Sequence, residues 1–100
     1  MINLSDNEIN IIKDILKNHI YEGEVYIFGS RVRGNNKKFS DIDLAVNINR
    51  KLSLSEISAI KDDFDESDLI YTADIIDYNS ISEEFKNIID SNKKIIYKSN

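Results

Sequence analysis

Apolar residues along the chain fall into helix-period stripes separated by short strand-like runs. Over residues 5–20, Ile9, Ile12, Leu16 and Ile20 share one face, and Ile11 and Ile15 widen it, the spacing of an amphipathic helix. Its start is marked by capping-box spacing between Ser5 and Glu8 and by a hydrophobic staple, Leu4 with Ile9. The same logic recurs over 52–66, with Ser53 and Glu56 as the box, Leu52 and Ile57 as the staple, and Ile57, Ile60 and Phe64 as the stripe. A third box, Ser80 with Glu83, precedes the stripe Ile81, Phe85, Ile88 and Ile89. His19 falls in the last turn of the first helix, where the helix dipole favours partial positive charge, a role at the helix end rather than a catalytic one.

Between the helices the period changes to two. Glu24 to Phe28 reads as a strand that runs straight into Gly29, and residues 29–40 form a loop with room for a helical turn at its start. Over 41–48, Ile42, Leu44, Val46 and Ile48 point one way, and Asp41, Asp43, Ala45 and Asn47 the other. Residues 69–77 form a third strand and Lys94 to Lys98 a short edge strand, with Lys93 and Lys94 as a solvated turn. These elements predict an α+β fold, a small mixed sheet covered by helices on one face, with the second face left as a working surface.

One hundred residues bound the chain to a single domain, 1–100, with too little mass for a separate substrate-binding domain. A large acceptor must therefore bring its own surface. The absence of cysteine excludes disulfides, thiol nucleophiles and Cys/His zinc sites, and fits a cytoplasmic location. No leader-like or membrane-spanning apolar run is present. A net charge of -5 argues against direct nucleic-acid binding through phosphates.

Against that acidic background, residues 28–44, FGSRVRGNNKKFSDIDL, concentrate unusual chemistry. Gly29 admits close approach of a phosphate to the backbone and Ser30 offers a hydroxyl. Arg31, Arg33, Lys37 and Lys38 gather positive charge, which attracts a polyphosphate locally. Asp41 and Asp43 project from one face of a strand and would repel each other unless a divalent cation or a basic group sat between them; a Mg2+ site typically takes one or two such carboxylates. The third strand offers Asp74 and Asp77, which an odd separation places on opposite faces. If Tyr71, Ala73 and Ile75 face the helices, Asp74 opens toward the site and Asp77 becomes a strand-end residue.

Gly29-Ser30, ten residues, then Asp41-Ile42-Asp43 resembles the nucleotidyltransferase superfamily of the DNA polymerase β type, and in particular its minimal nucleotidyltransferase (MNT) branch. The flanking GSRVRG and SDIDLAV agree with it, and the similarity covers nearly the whole chain. The resemblance implies a polymerase β palm-like fold, two Mg2+ ions held by Asp41, Asp43 and Asp74, and ATP as substrate. It implies Ser30 and the Gly29 turn on the β and γ phosphates, with Arg31 or Arg33 balancing charge on the leaving group. Proteins of this kind are commonly antitoxins of HEPN/MNT toxin-antitoxin pairs, which implies a hetero-oligomer with a HEPN toxin and, as a type VII-like activity, transfer of AMP to its tyrosine hydroxyl. Two alternatives stand beside this: an antitoxin that masks its HEPN toxin by binding alone, and a small-molecule nucleotidyltransferase of the aminoglycoside type.

Overall fold

The computed structural model describes residues 2–34 and 40–99. Helix α1 (Asp6–Lys17) leads into strand β1 (Glu24–Phe28), the short helix α2 (Ser30–Arg33) and strand β2 (Ile42–Asn47). Helix α3 (Leu54–Glu66), strand β3 (Ala73–Asp77), a 3-10 turn (Tyr78–Ser80), helix α4 (Glu83–Asp90) and strand β4 (Lys94–Lys98) follow. The four strands lie in the order β3-β2-β1-β4. β1 is antiparallel to both neighbours, and β3 runs parallel to β2, a pairing that needs the crossover α3 supplies.

Both leading capping boxes form in full. The Ser5 hydroxyl accepts from the Glu8 amide while Glu8 receives the Ser5 amide, and Ser53 and Glu56 do the same for α3. Glu56 is further gripped by both guanidinium nitrogens of Arg50, at 2.8 and 2.9 Å. That hydrogen bond from Arg50, with the Ser53 amide next in weight, pulls the Glu56 carboxyl down to about 2. A depressed carboxylate contributes stability above its unfolded value and loses it as pH falls toward its folded one. Thermal melts should therefore show Glu56→Gln less stable than wild type at pH 7, with the gap closing between pH ~4.5 and ~2. A gap of constant size across that window would contradict the assignment.

The principal core lies on one face of the sheet. Ile12, Leu16 and Ile20 from α1 and its exit, and Ile60 and Phe64 from α3, pack on Val25, Ile27, Ile42, Leu44 and Val46. His19 ties the end of α1 to α3 by bonding Asp63 through Nε2, so its role is a helix-to-helix link rather than a dipole contact alone.

The opposite face is partly covered as well. A second cluster joins Tyr26, Phe28 and Ala45 to Ile89 of α4, with Ile76, Ile81 and Phe85 around it. Phe28 and Phe85 meet edge to face at 6.2 Å. The expectation of helices on one face only is therefore corrected: α1 and α3 cover the principal face, while α4 screens part of the other because β1 is apolar on both sides.

Three local expectations change. Residues 69–72 are connection rather than strand, because β3 begins only where β2 begins, with Ile42 opposite Ala73 and the Ile42 amide bonded to the Thr72 carbonyl. Helix α4 is capped by Ser82, whose hydroxyl accepts from the Phe85 amide; Ser80 instead donates its hydroxyl to Asp77, which captures it within the 3-10 turn. Lys93 is not merely solvated: its ammonium sits 4.1 Å from the centre of the Tyr26 ring and 2.9 Å from Asp90.

Candidate active site

The site is built where β1, β2 and β3 begin or end together. β1 delivers Phe28 opposite Asp43 of β2, and the parallel register sets Asp43 beside Asp74 of β3. Neighbouring strands lie about 4.8 Å apart, so the Asp43 and Asp74 side chains rise next to one another on the face away from the principal core. Asp41 sits just ahead of β2 and is exposed, as is Asp74; Asp43 is half-buried.

Gly29 is what lets the turn press against this pair. Its φ of 81° and ψ of -152° lie in a region closed to side-chain-bearing residues, and a Cβ there would run into the Asp43 carboxylate. Its carbonyl accepts the amides of Val32 and Arg33, which launches α2. Ser30 opens that helix, and a first-turn amide has no acceptor within the helix itself. A phosphate group is a natural acceptor there.

Burial pushes the Asp43 carboxyl above the ordinary aspartate range, and the charges of Asp74 and Asp41 push it further; Arg33 acts in the opposite sense. Three carboxylates thus interact through space, with one arginine set against them. Among the described residues no three acidic, histidine or cysteine side chains are gathered closely enough to hold a metal ion by themselves. Mg2+ does not demand three, since it commonly takes one or two carboxylates and completes its shell with water and substrate phosphates. The repulsion centred on Asp43 is the feature a divalent cation would relieve.

The two β3 candidates separate cleanly. Ala73 and Ile75 pack with the principal core, which puts Asp74 on the opposite, exposed side. Asp77 is only 7% exposed and fully engaged: its carboxylate accepts from the Leu52 amide, the Asn79 amide and the Ser80 hydroxyl.

The two arginines also separate. Arg33 is exposed and its charge reaches Asp43. Arg31 corrects the expectation that it faces a phosphate: it is 3% exposed and turned under the turn, with its guanidinium 4.0 Å from the centre of the Tyr71 ring. Lys37 and Lys38 lie outside the described residues. A cavity of about 440 Å³ opens beyond the far end of β2, among Ile20, Ile48, Leu52 and Ile60. Of its polar lining, Arg50 and Glu56 pair with each other and His19 bonds Asp63, which leaves Glu22 as a lone carboxylate there, whereas Asp41, Asp43 and Asp74 interact as a group.

Residues 10–100 match the family model described as polymerase beta, nucleotidyltransferase. The chain belongs to this nucleotidyltransferase family. Over 88 residues it is 38% identical to a probable protein adenylyltransferase MntA of Haemophilus influenzae, an alignment covering 88% of this chain and 77% of that protein. The nucleotidyltransferase chain also superposes on a crystallised toxin-antitoxin with AMP-PNP at TM-score 0.77 and 25% identity, over 92% of this chain and 74% of the other. At TM-score 0.72 and 22% identity it shares its fold with a chain from the complex of a tri-AMPylated Shewanella oneidensis HEPN toxin with its MNT antitoxin, over 96% and 74% of the respective chains.

Proposed function

We propose that this chain is a Mg2+-dependent protein adenylyltransferase that moves AMP from ATP to a hydroxyl, a tyrosine by preference, of a cognate HEPN-type toxin, and so acts as its antitoxin. The observation that carries the reading is the juxtaposition of Asp43 and Asp74 on the exposed face beside the Gly29-Ser30 turn. The MntA relative, named as a protein adenylyltransferase, supports the choice of a protein acceptor. Among the described residues no helix is long and apolar enough to cross a membrane, which is compatible with work in the cytoplasm.

Asp41, Asp43 and Asp74 would hold the metal, and bound Mg2+ would neutralise triphosphate charge and lower the pKa of the attacking hydroxyl. Ser30 and the amides around Gly29 take the β and γ phosphates, and Arg33 balances charge that grows on the departing pyrophosphate. The acceptor oxygen bonds to the α-phosphorus as the bond from that phosphorus to the α-β bridging oxygen breaks. The hydroxyl proton passes to Asp74 or to solvent.

The test uses labelled ATP, Mg2+ and the HEPN partner. Asp74→Asn should lose transfer while melting, in metal-free buffer, no lower than wild type, because one of the charges that repel Asp43 is gone. Asp77→Asn should keep the chemistry but lose about 1.5–3 kcal/mol of stability, because a buried charged acceptor is weakened. The reverse pattern would overturn the assignment of Asp74. Toxin neutralisation that persists undiminished in a transfer-dead Asp74→Asn protein would favour masking by binding alone.

A further inference from the structure

Arginine is seldom buried, and burying its charge is costly unless its donors are matched. Arg31 is nonetheless almost wholly enclosed. One terminal nitrogen donates to the Ser40 carbonyl at 2.8 Å and the other to the Asn3 carbonyl at 3.2 Å. The Arg31 carbonyl in turn accepts the Asn3 amide at 2.9 Å, and the guanidinium lies over Tyr71. Glu8, held chiefly by the Ser5 amide in the α1 capping box, also lies within reach of Tyr71 and of the Arg31 charge.

The places it touches are not random. Ser40 immediately precedes Asp41. Tyr71 adjoins Thr72, whose carbonyl takes the Ile42 amide and starts the β2-β3 pairing that sets Asp43 beside Asp74. Arg31 itself is the neighbour of Ser30 on α2. Residues two apart on a helix diverge by roughly 200°, so one short helix can turn Arg33 to the carboxylates and Arg31 beneath them.

We propose that Arg31 is a positioning residue of the transfer reaction: its planar fork fixes the distance between the Gly29-Ser30 turn, the segment carrying Asp41 and Asp43, and the start of the strand carrying Asp74. This rests on the reading of those residues as the site. Lysine cannot replace it, because a single ammonium cannot meet two carbonyls at a fixed angle while stacking on a ring.

The test pairs Arg31→Lys with Tyr71→Leu and Tyr71→Phe, read by amide hydrogen exchange on the free protein and by transfer kinetics with the partner. Arg31→Lys and Tyr71→Leu should speed exchange at the Ile42 amide while α3 amides keep wild-type rates. They should lower kcat by at least about tenfold, toward the roughly hundredfold that a misplacement of about 1 Å costs, with the KM for ATP little changed. Tyr71→Phe, which keeps the ring face, should behave as wild type in both. Acceleration spread evenly through α3, or faster Ile42 exchange with an unaltered kcat, would overturn the proposal. If Arg31→Lys does not fold, the contrast between the two Tyr71 variants decides it. A wild-type protein that transfers nothing from ATP would remove the site reading, and the exchange rates would still judge Arg31.

Discussion

Gly29→Ala should both destabilise the protein and disable it. The backbone at position 29, φ 81° and ψ -152°, costs a side-chain-bearing residue about 1–3 kcal/mol on its own. The added methyl also meets the Asp43 carboxylate, so either that carboxylate swings away or the turn retreats. Both responses separate the turn from Asp43, and displacements of about 1 Å in such a site cost on the order of a hundredfold in rate. Gly34→Ala is the control. It shares a positive φ of 83°, but among the described residues no atom beyond its chain neighbours lies within 4 Å of its would-be Cβ, so it should lose only roughly 1–2 kcal/mol of backbone strain, with transfer retained. Urea unfolding and labelled-ATP transfer measure the two effects separately. Adding Asp43→Ala to Gly29→Ala should recover more stability than Asp43→Ala gives on its own, since the steric partner is gone; strict additivity of the two single effects would argue against contact between turn and carboxylate.

What the sequence made legible was local or periodic. The capping boxes at Ser5 and Ser53 need only residues three apart, and both formed. Period-two parity placed Asp43 and Asp74 on one side and Asp77 on the other without any knowledge of strand order. Contacts between distant residues escaped it. Ser80 carries cap spacing to Glu83, yet Asp77 claims its hydroxyl and hands the cap to Ser82. Arg31 looks like another loop cation until Tyr71, forty positions away, supplies the ring beneath it. The covering of the second face by α4 did leave a trace: Tyr26 and Phe28 alternate with Val25 and Ile27, and a strand apolar on both sides requires cover on both. The stripe of an amphipathic helix says that it packs, but not on which face.

The sharpest test of the site is Asp43→Asn, because activity and stability should move in opposite directions. Loss of even an outer partner of a bound metal typically costs roughly 10–100-fold in affinity or activity, and loss of a carboxylate at the centre of the cluster should cost more. In the absence of metal, however, this carboxylate is a burden on the fold. Burial and the neighbouring charges of Asp74 and Asp41 raise its pKa, so the folded state binds its proton more tightly than the unfolded chain does. Stability from this group is therefore greatest at acidic pH and declines as pH rises from the ordinary aspartate value through the raised one. Asparagine lacks that decline, so the variant should gain on wild type over that window and stay ahead at pH 7 in metal-free buffer. Mg2+ should then reverse the order. A ligand that binds only the folded state adds about 2.7 kcal/mol at a hundred times its Kd, a gain wild type should show and Asp43→Asn should lack. Thermal melts with EDTA and with Mg2+ measure both limbs. An Asp43→Asn protein that is less stable than wild type in EDTA, yet still rises with Mg2+ as wild type does, would place the cation elsewhere.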